Sequence, residues 1–294
     1  MTGCFERNAM IEEYVDELLN TFRTPFWLDE RGWFVRCDWD QTDSNILLYT
    51  LPYAFDYFCV FNSKIGKSTC PQENNQWSYD AARQLTYYVK SEKYSHLSDI
   101  QFCKVDSLKI RFPVSDYFWS MISTFDHLTS CEIMLDDTTE ECKKQLQLLL
   151  SRASRLSFLG LSKFSPTSSI ENLPLETMNV SIKRLDLKRL HESYDEEQCM
   201  KFSHSHLAMQ CEELHISVKY RISICHLVKT MHNLRLLYVK CEENEQKRYS
   251  IEDNKQDQSS TENKLVNWLE QQLSGVRSVI EISDCCGTIV LRIS

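Results

Sequence analysis

The chain has 294 residues, of which 42% are hydrophobic and 26% are charged, a balance that excludes a disordered chain and allows a substantial core. Only six glycines and six prolines occur, which leaves little material for the glycine-rich loops that cradle phosphates. The formal net charge of −9 argues against general affinity for nucleic acid or for an anionic membrane.

The first 80 residues lack a regular repeat. Apolar residues spaced one helical face apart predict an amphipathic helix that ends before Pro25. Two apolar segments, 33–39 and 46–51, are joined by a polar stretch and predict a pair of strands. Residues 52–80 are aromatic and irregular, and we interpret them as an insertion. We expect residues 1–80 to cap a repeat array.

Residues 81–241 contain an apolar phrase that recurs seven times. Each copy has a central apolar residue, with another three positions before it and a third two positions after it. The central residues are Leu85, Leu108, Cys131, Leu156, Leu185, Leu214 and Leu237. Their spacing is that of a leucine-rich repeat, in which each unit supplies one strand and one helix. The fold class we predict is α/β, a leucine-rich repeat solenoid or horseshoe with a parallel concave sheet, helices on the convex side and non-repetitive caps at both ends.

The segments between the phrases carry the helical periodicity that this architecture requires. Four of them show apolar stripes spaced 3.6 residues apart, which predict helices before the next strand. The unit from Leu156 to Leu185 differs because Pro166 and Pro174 would interrupt a long helix. We expect a loop or a short turn there.

The last 53 residues divide into two parts. Residues 242–263 are polar and predict a flexible loop or a disordered tether. Residues 264–294 combine an apolar helical stripe with two β-type segments, which predict a C-terminal helix and a terminal strand pair. Such a pair would cover the open edge that a repeat sheet leaves.

The cysteines and the absence of targeting signals indicate a compartment. No apolar run approaches the roughly 18 residues needed to cross a bilayer, and the start of the chain lacks the layout of a secretory signal. The thirteen cysteines are odd in number, and Cys131 and Cys211 stand in apolar repeat positions. Free thiols of this kind are typical of a reducing environment, so we expect a cytoplasmic or nuclear protein.

The sequence offers little for catalysis or metal binding. It contains no nucleophile elbow, phosphate loop or paired Cys-x-x-Cys module. His204 and His206 alternate within a predicted helix and would point to different faces, and Cys285-Cys286 is better explained as a turn than as a redox pair. We therefore expect a non-enzymatic protein without catalytic residues, cofactor or metal; a thiol-based redox enzyme is the alternative.

Strand alternation predicts which side chains face outward from the sheet. The outward positions of the seven phrases carry six basic and three acidic residues, a local net charge of +3 on an acidic chain. These charges either balance one another across neighbouring strands or form a groove for an acidic or phosphorylated segment of another protein. The candidate partner-binding residues are Lys109, Arg111, Arg155, Arg184, Lys188 and Tyr238. The alternative binding site is the aromatic insertion around Tyr53, Phe55, Tyr57 and Phe58.

The runs at 15–27, 33–39 and 48–56, which include Pro25-Phe26-Trp27 and Leu51-Pro52-Tyr53, carry a family resemblance. They resemble the C-terminal repeat region of an invertebrate family of F-box and leucine-rich repeat proteins. In that family the F-box docks on the adaptor of a cullin-type ubiquitin ligase, and the repeats are taken to select the protein to be modified. No F-box motif precedes Ile11.

The resemblance therefore implies substrate recognition without adaptor docking. We expect a protein partner, and neither nucleic acid nor membrane. Alternatively, the chain is a fragment of a longer F-box protein without independent activity.

Overall fold

A computed structural model describes residues 2–40, 46–60, 64–70, 79–88, 100–136, 139–163, 179–190, 193–243, 255–275, 278–283 and 288–294. The protein is a mixed α/β structure with a large, mostly parallel sheet and helices. It divides into two compact units, Met1–Leu128 (unit 1) and Thr129–Ser294 (unit 2).

The described residues of unit 1 form two helices, a short π-helix and six strands. They are α1 (Thr2–Asn20), the π-helix (Phe26–Glu30), β1 (Phe34–Asp40), β2 (Ile46–Leu51), β3 (Tyr57–Val60), β4 (Lys64–Ser68), β5 (Gln84–Tyr87), β6 (Ser107–Phe112) and α2 (Asp116–Met121). The predicted N-terminal helix and the antiparallel pair formed by β1 and β2 are confirmed.

Helix α1 packs on an antiparallel sheet of order β2-β1-β4. Val15 and Leu19 of the helix and Cys37 and Trp39 of β1 form one buried apolar cluster. On the same face, Lys67 Nζ lies 2.7 Å from Asp16 Oδ2. The helical stripe seen in the sequence is therefore the face that contacts the sheet.

A buried polar network occupies the opposite face of β1. Asp38 is 1% exposed; its carboxylate accepts hydrogen bonds from Arg36 Nε (2.9 Å) and Tyr49 Oη (2.8 Å). Burial, reinforced by the Asp38 charge, raises the pKa of the Tyr49 hydroxyl well above its ordinary value. Gly66 leaves room for this network, since a Cβ there would lie 2.7 Å from an Arg36 guanidinium nitrogen.

The interpretation of residues 52–80 as an irregular insertion is wrong. This stretch contains β3 and β4, and β3 pairs in parallel with β5, placing Phe58 opposite Leu85. Leu85 in turn lies opposite Leu108 of β6. Strand β3 has only four residues, and the exposed aromatic side chains of Phe55 and Tyr57 conceal its alternation. It nevertheless extends the parallel repeat of unit 1 by one strand.

Unit 2 contains seven strands and five helices in its described residues. They are β7 (Ser130–Leu135), α3 (Glu140–Arg152), β8 (Phe158–Lys163), β9 (Arg184–Arg189), α4 (Glu196–Ser203), α5 (His206–Gln210), β10 (Glu213–Val218), α6 (Arg221–Thr230), β11 (Leu236–Cys241), α7 (Lys255–Gln272), β12 (Ser278–Ser283) and β13 (Thr288–Ile293). Strands β7 to β11 run parallel in chain order, and β13 joins β11 antiparallel with β12 outside it. The predicted terminal strand pair is confirmed.

The central residues of the phrases form a buried ladder in unit 2, with one correction. Leu159, not Leu156, lies between Cys131 and Leu185. The prediction was wrong because apolar residues recur every three positions at Ala153, Leu156 and Leu159, so the phrase fits the sequence in two registers. The ladder continues from Leu185 to Leu214 and Leu237, and all of its members are at most 1% exposed.

Successive strands are joined at their amino ends by a repeated backbone pattern. In six of the repeats, one carbonyl oxygen accepts hydrogen bonds of 2.7–3.0 Å from two consecutive N–H groups of the next repeat. In unit 1 the acceptors are Asp56 and Arg83; in unit 2 they are Thr129, Ser157, Lys183 and Glu212. The carbonyl of Arg235, at the end of this series, instead accepts from Ile293 N at 2.8 Å. Strand β13 therefore satisfies the group that a further repeat would have covered.

The helices predicted between the phrases are present as α2 to α6. Three of them begin with a side-chain cap: Thr139 Oγ1 accepts from Cys142 N, Asp195 and Gln198 form a reciprocal capping box, and Ser205 Oγ accepts from Ala208 N. The carboxylates in the first turn of α3, including that of Glu140, interact favourably with the positive end of the helix dipole. Among the described residues, no helix is long and apolar enough to cross a membrane.

Helix α7 begins at Lys255, inside the segment predicted as a tether. The boundary between tether and helix at 263 and 264 is therefore wrong. Five of the residues 255–263 are Asp, Ser, Thr or Asn, which have modest helix propensity, so packing of the later turns accounts for the helix. In the C-terminal half of α7, Leu265 and Leu269 are buried and anchor the helix. The rest of the predicted tether, 244–254, lies outside the described residues, as do the prolines of the loop predicted between Leu156 and Leu185.

Candidate functional site

The candidate site is the side of the unit 2 sheet opposite the buried leucines. We call it the polar face and define it by the side chains of Phe158, Arg184, Lys188, Glu213, His215 and Tyr238. Alternation along the strands places them there: in β9, Leu185 is buried between exposed Arg184 and half-buried Asp186. The same leucine pattern that builds the core therefore displays these residues outward.

Three charged or titratable groups form a chain across β9 and β10. Arg184 and Glu213 are direct neighbours in the parallel register. Arg184 Nε lies 3.0 Å from Glu213 Oε2, and His215 Nε2 lies 2.8 Å from Glu213 Oε1. The Glu213 side chain, 20% exposed, is thus held between a guanidinium and an imidazole. These contacts fix Glu213 and leave Arg184 half exposed at the surface.

Aromatic rings extend this chain at both ends. The His215 imidazole stacks on the Tyr238 ring of β11, with centroids 4.2 Å apart and planes inclined by 28°. Lys188 Nζ lies 5.4 Å from the centroid of the same tyrosine, and the Arg184 guanidinium lies 5.4 Å from the Phe158 ring of β8. Cation–π and stacking contacts therefore hold side chains of four adjacent strands in one layer.

A β-bulge in β9 determines where Lys188 lies. Gly160 pairs with Asp186, but Ser162 pairs with Arg189, so β9 has one residue more than β8 over this interval. The N–H of Lys188 donates to Asp186 Oδ1 at 3.0 Å. Bulges re-aim side chains and are frequent beside functional sites, and strand alternation alone could not have located this one.

The structure separates the six predicted partner-binding residues. Arg184, Lys188 and Tyr238 belong to the polar face of unit 2, and Lys188 contacts Tyr238. Lys109 is exposed on β6 of unit 1. Arg111, also on β6, is only 8% exposed, so its prediction as an open contact is wrong. Arg155 lies in the turn before β8, because the phrase there is shifted by three residues.

Phe158, Glu213 and His215 were not among the predicted site residues. Glu213 and His215 occupy outward positions of their phrase, and His215 and Tyr238 hold the same position on successive strands. That coincidence of two rings was the signal available in the sequence. The charge pairing of Arg184 with Glu213 supports the interpretation that charges balance between strands. In the alternative aromatic site, Tyr53 and Phe58 are buried, with 8% and 2% exposure, and cannot be open contacts. Phe55 and Tyr57 are exposed.

The described cysteines have the properties of core residues. None of the ten whose side chains the structure describes forms a disulfide, and eight are buried. Burial raises the pKa of Cys37 to about 11 and that of Cys199 and Cys211 to about 12. A thiol is nucleophilic as its thiolate, so these three are poorly suited to redox chemistry at neutral pH. Cys285 and Cys286 lie outside the described residues.

The histidine pair examined for metal binding has a local structural role. His204 ends α4 and its Nδ1 lies 2.8 Å from the Met200 carbonyl, while Ser205 caps α5. No group of three or more His, Cys, Asp or Glu residues in the described part of the chain is arranged to hold a metal ion.

Comparison with known proteins assigns no family. No protein-family model matches the chain, and a search of curated proteins finds no match. The geometry of the polar face is therefore the basis for a functional conclusion.

Proposed function

We propose that the chain is a non-enzymatic protein-interaction module of the leucine-rich repeat type, and that the polar face of unit 2 contacts the partner protein. The observation that carries this proposal is the layer in which His215 stacks on Tyr238 while Glu213 joins His215 to Arg184. Tyrosine and arginine are enriched among residues that dominate the energy of protein interfaces.

The fixed conformation of these side chains favours a binding role over a purely structural one. Arg184 remains 54% exposed although it is held by Glu213 on one side and lies near the Phe158 ring on the other. A side chain already fixed in one conformation loses less entropy when a partner immobilises it. The polar face thus presents exposed contact groups on rigid strands, as a recognition surface requires.

The repeated carbonyl pattern supports the leucine-rich repeat assignment. Within unit 2, equivalent carbonyls at Thr129, Ser157, Lys183 and Glu212 each receive two N–H groups from the next repeat. The buried leucines recur in register along the same strands. A unit of one strand with its connection cannot bury its own apolar face, so such units stack into a curved array with a continuous parallel sheet.

The proposed role is similar to that of the substrate-recognition repeats of F-box ubiquitin-ligase receptors. The resemblance covers much of the chain, but the F-box that would dock on the ligase adaptor has no counterpart among the motifs found. The recognition half of the family role is therefore the part we assign. Free, buried cysteines support a reducing compartment, the cytoplasm or the nucleus.

Co-purification with face variants tests the proposal. The tagged wild-type chain is compared with Arg184→Ala plus Tyr238→Ala, and bound proteins are quantified by mass spectrometry. The matched control is Arg155→Ala plus Tyr14→Ala, which removes an exposed arginine in a turn and an exposed tyrosine on α1. Circular dichroism verifies that all three proteins are folded.

We expect at least one protein to be recovered with the wild type and the control but lost with the face variant. Removal of interface anchors of this kind costs upwards of about 2 kcal/mol, a loss of roughly thirtyfold or more in affinity. Equal recovery of every bound protein with the folded face variant would contradict the proposal.

A further inference from the structure

Basic residues cluster where the strands of unit 2 end. Lys163 is the last residue of β8, Lys188 and Arg189 end β9, and Lys219 directly follows β10. We call these four residues the basic rim. Arg189 and Lys219 are exposed, and Lys163 and Lys188 are half-buried. Because the three strands are parallel neighbours, their carboxyl ends meet at the same edge of the sheet.

The bulge in β9 contributes two of these charges at one strand end. A regular strand would place Lys188 and Arg189 on opposite faces. The bulge instead pairs Arg189 with Ser162, a residue on the polar side of β8, while Lys188 reaches the Tyr238 ring. Asp186 Oδ1 accepts the Lys188 N–H, so the nearest carboxylate stabilises the bulge backbone.

The ion pairs of the polar side lie at the other end of the strands. Lys183 pairs with Glu212 at 3.5 Å, and Arg184 pairs with Glu213 at 3.0 Å, both where β9 and β10 begin. At the carboxyl ends, acidic residues border the rim: Asp136 follows β7, and Glu243 follows β11. Ion pairing between neighbouring strands therefore accounts for the charged residues at the amino ends of the strands. It does not account for the basic residues of the rim, which spans the three strands β8 to β10.

We propose that the basic rim docks a short acidic segment of the partner protein, an inference that rests on the proposed function of the polar face. Three strands at a spacing of about 4.8 Å give a width of roughly 10 Å, which an extended peptide covers with about three residues. The rim thus matches a run of three or four Asp or Glu residues. Its ammonium and guanidinium groups are the complementary charges for such a run.

Nucleic acid fits this surface less well than a peptide. The chain carries a net charge of −9, and a polyanion longer than the rim would bring further phosphates close to that negative charge. A short acidic segment within a protein can contact the rim while the rest of its chain contacts the polar face. The peptide is therefore the occupant that the charge distribution favours.

Fluorescence anisotropy tests the inference with a labelled twelve-residue peptide, Gly-Ser-Gly-Ser-Glu-Asp-Glu-Asp-Gly-Ser-Gly-Ser, which carries a run of four acidic residues. The comparison probes are the same peptide with Gln-Asn-Gln-Asn in place of that run and a labelled single-stranded oligonucleotide of equal charge. The rim variant is Arg189→Glu plus Lys219→Glu, with Arg189→Gln plus Lys219→Gln as a milder second version. The matched control, Arg155→Glu plus Lys229→Glu, changes the total charge equally at exposed sites in a turn and on α6.

We expect saturable binding of the acidic peptide to the wild type and to the control, weaker binding at higher salt, and no binding of the neutral peptide. The rim variant should bind roughly tenfold or more weakly, because two attractive charge contacts become repulsive. No saturable binding up to about 1 mM peptide, equal binding by the rim and control variants, or tighter binding of the oligonucleotide would each overturn the inference.

The rim and the polar face can fail separately. If the folded rim variant retains the co-purified partner while Arg184→Ala plus Tyr238→Ala loses it, the proposed function stands and the acidic segment is wrong. If the peptide binds the rim but the face variant retains every co-purified protein, the proposed function fails.

Discussion

Replacing Leu237 by alanine should destabilise the fold strongly, because this side chain belongs to the buried ladder. Leu237 is 0% exposed and lies between two other fully buried leucines, Leu214 on β10 and Leu291 on β13. Strands on both sides limit how far the site can collapse around the cavity. We therefore expect a loss in the upper part of the range for buried leucines, about 3–5 kcal/mol.

The neighbouring residue provides a matched control. Leu236 is half-buried on the opposite side of the same strand, so Leu236→Ala removes the same atoms from a partly solvent-exposed position. Its expected cost is below about 1 kcal/mol. The two variants differ by one position in sequence and by the face of the sheet.

Urea unfolding followed by circular dichroism compares the two substitutions. With a urea slope of about 2 kcal/mol/M, Leu237→Ala should lower the unfolding midpoint by about 1.5–2.5 M and Leu236→Ala by less than about 0.5 M. Equal shifts, or a larger shift for Leu236→Ala, would refute the register of β11.

Three further predictions concern buried polar and titratable groups. Gly66→Ala should cost about 1–3 kcal/mol in urea unfolding because its Cβ would press on the Arg36–Asp38 pair; Gly275→Ala, with open space around it, should stay within about 0.5 kcal/mol, and equal effects would contradict this. Tyr49→Phe removes the hydroxyl that donates to the Asp38 carboxylate and should cost about 1.5–3 kcal/mol; an unchanged midpoint would argue against the hydrogen bond. The pKa of the Cys211 thiol is raised to about 12 from an ordinary 9.0. The contribution of this group to the free energy of unfolding is therefore complete below pH 9 and is lost as pH rises toward 12, by up to about 1.4 kcal/mol per pH unit. The unfolding free energy of Cys211→Ala should therefore fall less steeply over this interval than that of the wild type, and parallel curves would contradict the assignment.

The sequence was sufficient for elements whose pattern has one solution. The apolar stripe of α1, the pair of β1 and β2, and the outward position of Tyr238 follow from periodicity alone. Strand β8 was placed wrongly because Ala153, Leu156 and Leu159 satisfy the phrase in two registers. Only pairing with Cys131 and Leu185 selects one of them, and pairing is a long-range property.

The candidate site was partly predictable for the same reason. Alternation identified Arg184 and Lys188 as outward residues, but it could not reveal that Glu213 pairs with Arg184. It also assumed regular strands, so the bulge that brings Arg189 beside Ser162 was missed. The exposure of Arg111 was overestimated, since an outward position in the alternation does not guarantee exposure when neighbouring side chains cover it.

Helix α7 shows the limit of composition as a guide. The low apolar content of 242–263 indicated a tether, yet the helix begins at Lys255. A polar segment can continue a helix whose later turns are buried, here through Leu265 and Leu269. The buried residues supply the packing energy, which outweighs the modest helix propensity of the Asp, Ser, Thr and Asn residues among 255–263.

Photo-crosslinking from the centre of the polar face locates the partner on the protein surface. A photoreactive phenylalanine analogue replaces Tyr238 in one protein and Tyr14, 55% exposed on α1, in a second. We predict an adduct with the co-purified partner from position 238 and little or none from position 14. An adduct from position 14 without one from position 238, in proteins that both retain the partner, would contradict the assignment of the polar face as the binding surface.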